Sequence, residues 1–276
     1  MANPEPLSPP AIDQAQPLHI LLVEDSLTNQ KLIAKQIEGL GHLVTVVGDG
    51  ESAVEAAGQS DYNIILMDCE LPGIDGFEAA IAIRQQKRSI PTHPTVIIAL
   101  TGSDLPEAQE QAALAGMNEY LTKPIRREML AEVLSKWGAL TRSMPQPTQP
   151  QAASANEQRP KPTHKLSLDL NWEHLHRLSD HNLEFESELL QIFVQDSTEQ
   201  LGRLQQAIDR QDFKQLEESA HHLQGASGNM GAELMRQAAA QLEQQAQQRQ
   251  LSSSILLLAQ IEISLRQIQS YIKQDE

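Results

Sequence analysis

Residues 64–70 read IILMDCE. Four apolar residues, Ile64–Met67, end abruptly at an acid, Asp68, and a proline and a glycine follow at 72 and 73. A short apolar run closed by turn residues is the pattern of a buried strand. Similar runs lie on both sides, at His19–Val23, Leu43–Val47 and Val96–Leu100, with a weaker one at Met117–Leu121. Helical spacing fills the gaps, near 27–40, 50–58, 75–88 and 105–116, and again at 125–140. Gly41, Gly58 and Gly116 stand where those helices should end. Five strand–helix units of this length predict α/β architecture: a doubly wound parallel sheet covered by helices on both faces.

The polar residues fall where such a sheet binds ligands. Glu24 and Asp25 follow the first run, Asp68 the third, Thr101 the fourth and Lys123 the fifth. The carboxyl ends of parallel strands line one crevice, so these groups should meet there. Three crowded carboxylates require a cation, and a hard ion with oxygen ligands, Mg²⁺, suits them. One carboxylate can attack a phosphoryl group to form an acyl phosphate. The ammonium and the hydroxyl can then neutralise or hydrogen-bond the phosphoryl oxygens.

The segments LLVEDS, MDCELPGIDGF, IIALTG and YLTKP resemble the response-regulator receiver domain, a flavodoxin-like fold, over residues 18–140. The resemblance implies phosphorylation of Asp68. It also implies Mg²⁺ held by Glu24, Asp25, Asp68 and the backbone carbonyl of Glu70. Thr101 and Lys123 match the family's conserved pair, Thr101 and Tyr120 its switch residues, and the Lys123–Pro124 bond would be cis. Cys69, beside the acceptor, reads as a small filler on the strand end rather than a redox group.

Residues 141–165 carry five prolines and four glutamines without apolar periodicity, which reads as a linker. Beyond it only helical patterns remain, near 170–178, 183–209, 212–229, 232–248 and 251–273, predicting an all-α four-helix bundle over 166–276. The last helix shows Leu251, Ile255, Leu258, Ile261, Leu265, Ile268 and Ile272 at spacings of three and four, one stripe for a bundle core.

Within 218–232, ESAHHLQGASGNMGA, a core stripe runs through Phe213, Leu216, Ala220 and Leu223. His221 points about 120° away from it, Gly225 and Gly228 share its exposed strip, and His222 lies about 100° further round. Each mid-helix glycine costs about 1 kcal/mol against alanine, so their use there is to bare the surface beside an imidazole able to accept a phosphoryl group. The segment resembles the histidine-phosphotransfer domain, whose acceptor lies in an H-x-L-K-G motif. His221 is then the phosphorylated histidine, with Gln224, Gly225 and Gly228 around it. Gln224 replaces the family's Lys and supplies no charge to the phosphoryl group. His174, His176 and His181 share no helix face at ligand spacing.

Composition sets outer bounds. Among 276 residues the net charge is −16, which excludes a nucleic-acid surface. The single cysteine excludes an internal disulfide and suits a reducing compartment. Residues 1–17, with five prolines and no Lys or Arg, read as a disordered tail with no signal peptide. No run is long enough to span a membrane. The expectation is a cytoplasmic phosphorelay carrier without an ATP-binding domain, not itself a kinase. Its partners would be an upstream histidine kinase and the receiver of another response regulator. The Pro-rich start also fits the tail of a hybrid sensor kinase, and the receiver alone could serve as a phosphorylation-independent adaptor or as a hydrolytic phosphate sink. A linker of 25 residues spans roughly 25–30 Å, which leaves open whether transfer between Asp68 and His221 is internal.

Overall fold

The computed structural model describes residues 16–87, 95–102, 106–141, 169–179 and 181–275. The expected linker, apart from Thr141, and all but the last two residues of the expected tail lie outside these. Each apolar run becomes a strand: β1 (His19–Val23), β2 (Leu43–Val47), β3 (Ile64–Asp68), β4 (Val96–Thr101) and β5 (Glu119–Thr122). They form one parallel sheet in the order β2-β1-β3-β4-β5. β3 and β4 each run one residue past their apolar stretch, so Asp68 and Thr101 are the last residues of their strands, and Asp68 pairs with Leu100. β5 begins two residues later than Met117.

Side chains alternate across the sheet, as the two-residue strand period requires. Leu22, Ile64, Leu66, Ile98 and Leu100 face helices α1 (Leu27–Gly39) and α5 (Arg127–Thr141). Val23, Ile65, Met67, Ile97 and Ala99 face α2 (Gly50–Gln59), α3 (Gly76–Lys87) and α4 (Pro106–Leu114). Burial of each large side chain contributes roughly 1.5–3 kcal/mol, which fixes the register and with it the strand ends. Ser26 caps α1 and Asp49 caps α2 by accepting from backbone N–H groups. Gly41 follows α1 at φ +84°, as expected. Gly58 does not end its helix: α2 continues to Gln59 and stops at Ser60, which is extended.

The second half is helical: α6 (Trp172–Leu178), α7 (Leu183–Arg210), α8 (Phe213–Met230), α9 (Glu233–Gln247) and α10 (Ser254–Asp275). Its core gathers Phe193, Leu204, Leu216, Leu223, Met235, Leu242, Ile261 and Ile268. α9 opens at Ala232, which offers no capping side chain. The Asp169 carboxylate does the work from a distance, accepting from Leu234 N (2.8 Å), Met235 N (3.0 Å) and Ser264 Oγ (2.9 Å).

The α10 stripe departs from expectation at one residue. Leu258, Ile261, Leu265 and Ile268 are buried, but Ile255 is 76% exposed. At 100° per residue Ile255 lies about 120° from Ile261, and Leu257, Ser254 and Ser264 fill the inward face instead. Among the described residues no helix is long and apolar enough to cross a membrane.

Candidate functional site

The strand ends converge as the sequence predicts. Glu24 and Asp68 are 0% and 2% exposed at the ends of β1 and β3. Lys123 Nζ stands 2.5 Å from Asp68 Oδ2 and 2.9 Å from Glu24 Oε2. Asp68 Oδ1 accepts from the backbone N of Glu70 (3.1 Å). Thr101 is buried beside them, and its carbonyl accepts from Lys123 N (2.8 Å). The Lys123–Pro124 bond is cis, as the resemblance implied. Tyr120 is 38% exposed on β5. Gly76 is indispensable for space: a β-carbon there would come 1.9 Å from the Asp68 carbonyl oxygen, so α3 can start hard against Asp68 only without one.

Three acids around one ammonium leave surplus negative charge in a buried place. Burial raises Asp68, Lys123 pulls it down, and the charges of Glu24 and Asp25 push it up again, to about 7. Lys123 keeps its proton firmly, because Asp68 and Glu24 outweigh the cost of burying it. One carboxylate oxygen from each of Glu24, Asp25 and Asp68 lies within 4.8 Å of the others. Glu24 Oε2 is buried against the Lys123 ammonium. An all-oxygen donor set whose three carboxylates outnumber the one ammonium among them fits a hard dication. Burial pushes the Cys69 thiol up to about 12, which leaves it a packed filler at neutral pH.

The second candidate acceptor, His221, sits at the mouth of this pocket. His221 is half-buried on α8, and its Nε2 lies 3.0 Å from Glu70 Oε2, on the loop after β3. Its Nδ1 lies 3.1 Å from Glu243 Oε1 on α9. A β-carbon on Gly102, after β4, would meet His221 Cε1 at 3.3 Å. The imidazole is therefore wedged between the loops that follow β3 and β4. Burial lowers the His221 pKa, but Glu243 and Glu70 outweigh it and the net direction is upward.

The glycine strip is divided rather than bare. Gly225 faces Asn29 of the sheet domain, with Asn29 Nδ2 at 3.8 Å from a would-be β-carbon, and Gly228 faces Arg236 of α9. Gln224 is half-buried on the same helix.

Sequence reasoning missed the contact that brings the halves together. Helix α1 lies on α7 and α8. Ser26 Oγ and Thr28 Oγ1 donate to Asp196 Oδ2 (3.0 and 3.3 Å), and Asn229 Nδ2 donates to Asn29 Oδ1 (2.6 Å). Lys31 pairs with Glu188 (2.7 Å) and Lys35 Nζ stands 5.5 Å over the Phe185 ring. Leu32, 1% exposed, packs into the bundle's core, not the sheet's. His222 is not a free surface residue: its ring bridges Asp25 and Asp196, at 3.0 Å from each. The legible signal was an α1 face carrying Thr28, Asn29, Lys31 and Leu32, too polar to be core and too apolar at Leu32 to be plain surface.

Comparison with known proteins divides the chain in the same way. The family described as response regulator receiver domain matches residues 20–135, and the Hpt domain family matches 188–271. Sensor protein GacS of Pseudomonas syringae pv. syringae is 29% identical over 237 residues, 86% of this chain and 25% of that protein. Virulence sensor protein BvgS of Bordetella bronchiseptica is 27% identical over 247 residues, 87% of this chain and 20% of that protein. The chain thus spans a quarter or less of these relatives' length. Among solved structures, the receiver domain of a Pseudomonas aeruginosa sensor histidine kinase, with a magnesium ion coordinated in its active-site cleft, is 42% identical. It covers 45% of this chain and 99% of its own, at a TM-score of 0.41.

Proposed function

We infer the function from the premise that this chain is a response regulator receiver domain followed by an Hpt domain. It is a phosphorelay intermediate: Asp68 accepts a phosphoryl group from the phosphohistidine of an upstream kinase, and His221 exchanges it with Asp68 and with the receiver of another regulator. The observation that carries this reading is the seating of His221 of one domain against Glu70 and Gly102 at the mouth of the other domain's acidic pocket.

In the first step an Asp68 carboxylate oxygen attacks phosphorus, the phosphorus–nitrogen bond of the donor breaks, and the donor imidazole leaves. Lys123, already 2.5 Å from Asp68, counters charge on the phosphoryl oxygens, and Thr101 offers a hydroxyl beside it. Glu24, Asp25, Asp68 and the Glu70 carbonyl would hold Mg²⁺, which when bound supplies the positive charge that three acids and one lysine lack. In the second step His221 Nε2 attacks phosphorus and the bond to Asp68 breaks, restoring the carboxylate. Glu243, accepting at Nδ1, keeps the proton on that nitrogen, and Glu70, 3.0 Å from Nε2, takes the proton of Nε2 so that its lone pair can attack. Glu70 must swing away from Nε2, and its side chain, 52% exposed, has solvent to swing into. Docking of α1 on the bundle makes this transfer internal, at an effective concentration about millimolar or above. The cytoplasm suits this chemistry, and the lone cysteine suits a reducing compartment.

Incubation of the purified chain with Mg²⁺ and acetyl phosphate tests the reading, with the label located in wild type, Asp68→Ala and His221→Ala. Alkali removes acyl phosphate and acid removes phosphohistidine. Label on His221 that requires Asp68 supports the internal relay. Label that stops at Asp68 reassigns His221 to another receiver's phosphate. The absence of label at both sites leaves a phosphorylation-independent adaptor. A second reading, in which this region acts inside a longer sensor kinase, is supported by its quarter share of GacS, and mapping of the native transcript separates the two.

A further inference from the structure

We propose that His222 is a positioning residue that joins domain docking to cation loading of the acidic pocket, each weakening the other. The proposal rests on the phosphorelay reading of the pocket and goes beyond it. His222 is the second histidine of the pair and takes no part in phosphoryl transfer as derived above. It is nonetheless the more buried of the two, its side chain 7% exposed against 19% for His221.

Both of its nitrogens face carboxylate oxygens at 3.0 Å, Nδ1 toward Asp25 and Nε2 toward Asp196. Ionised carboxylates only accept, so both nitrogens must donate and the ring carries a positive charge. Asp196 cannot turn away, because Ser26 and Thr28 hold its other oxygen. The bundle therefore plants an imidazolium on Asp25, one of the three carboxylates that would hold the cation.

A second thread reaches a second carboxylate. Asn229 of α8 donates to Asn29 Oδ1, and Asn29 Nδ2 donates to Glu24 Oε1 (2.8 Å). Docking thus engages both Glu24 and Asp25. A dication is drawn into the pocket by the net negative charge of these groups, and an imidazolium in the same low-dielectric surroundings offsets part of it. Asp25 keeps one oxygen clear of His222, so cation and bundle can bind together at a cost. Linkage makes the cost reciprocal: whatever factor docking takes from cation affinity, the cation takes from docking. After loading the pocket, the cation loosens the clamp that held the partner domain in place.

Titration calorimetry of Mg²⁺ into the full-length chain, without phosphodonor, tests this with wild type, two single variants and their double variant. His222→Gln removes the charge. Leu32→Glu opens the interface without touching either carboxylate. Both should bind Mg²⁺ about five-fold more tightly than wild type, or better, and the double variant no more tightly than either single one. In wild type, Mg²⁺ should also enlarge the radius of gyration in small-angle scattering. Unchanged or weaker Mg²⁺ affinity in either variant overturns the proposal, as does a scattering profile indifferent to Mg²⁺. His222→Asn replaces His222→Gln if the latter does not fold. Because no phosphoryl group is present, failure here leaves the relay reading intact, and failure to label Asp68 leaves this coupling intact.

Discussion

The two proposed acceptors are built in opposite ways. Asp68 is 2% exposed at the end of a fully buried strand, and its partners, Lys123 after β5 and the Glu70 backbone after β3, come from the same edge of the same sheet. His221 stands on the flank of one helix, half-buried, and its partners come from another helix and from the other domain. The first site is complete within its own fold. The second is finished only when the domains meet. A nucleophile fixed in a sheet needs its charge balanced, whereas one on a helix flank needs something to lean on.

The sharpest break in that comparison is Lys123→Ala. Loss of the ammonium against Asp68 should slow its phosphorylation by acetyl phosphate about 10²–10³-fold, while His221 still accepts from an external phosphoreceiver at near the original rate. Equal slowing at both sites would mean that they share one machinery.

Leu32→Ala should act the other way round. Losing a buried leucine contact worth roughly 1.5–3 kcal/mol should slow transfer from Asp68 to His221 about ten-fold or more in single-turnover quench. Asp68 labelling itself should stay within two-fold, about the experimental scatter.

Charge surplus predicts a stability signature for the first site alone. The folded Asp68 carboxyl titrates at about 7 without metal, above its ordinary value near 4. Between those pH values the folded chain holds a proton that the unfolded chain has released, so this group's contribution to stability falls as pH rises. In EDTA, Asp68→Asn should therefore be more stable than wild type by about 1–3 kcal/mol at pH 7.5, with the gap closing toward pH 5. Thermal melts at the two pH values measure it. His221→Asn should show no such gain.

The smallest effect concerns the bundle's last helix. Ile255→Ser should stay within about 0.5 kcal/mol of wild type, whereas Ile261→Ala should cost roughly 2–5 kcal/mol. Urea midpoints separate them.

The same contrast explains what could be read from the sequence. Glu24, Asp25, Asp68, Thr101 and Lys123 each terminate an apolar run, and strand ends in a parallel sheet have one place to go. The periodicity therefore carried both fold and site. His222 and Asn29 carry no comparable mark, because a helix surface that docks on another domain has the spacing of a helix surface that faces water. Ile255 failed for a related reason: spacing of three and four admits two adjacent stripes, and only the neighbouring helices decide which is inside. Gly58 has the look of a stop because glycine ends helices through a left-handed turn, but an extended serine, Ser60, ends this helix instead.

Leu32 belongs by sequence to one domain and by its neighbours to the core of the other. A side chain shared in this way ties the melting of the two halves together. A calorimeter should record one endotherm for the whole chain, and severing the halves at the linker should split it, with the isolated receiver left bearing a leucine for which water is the only cover.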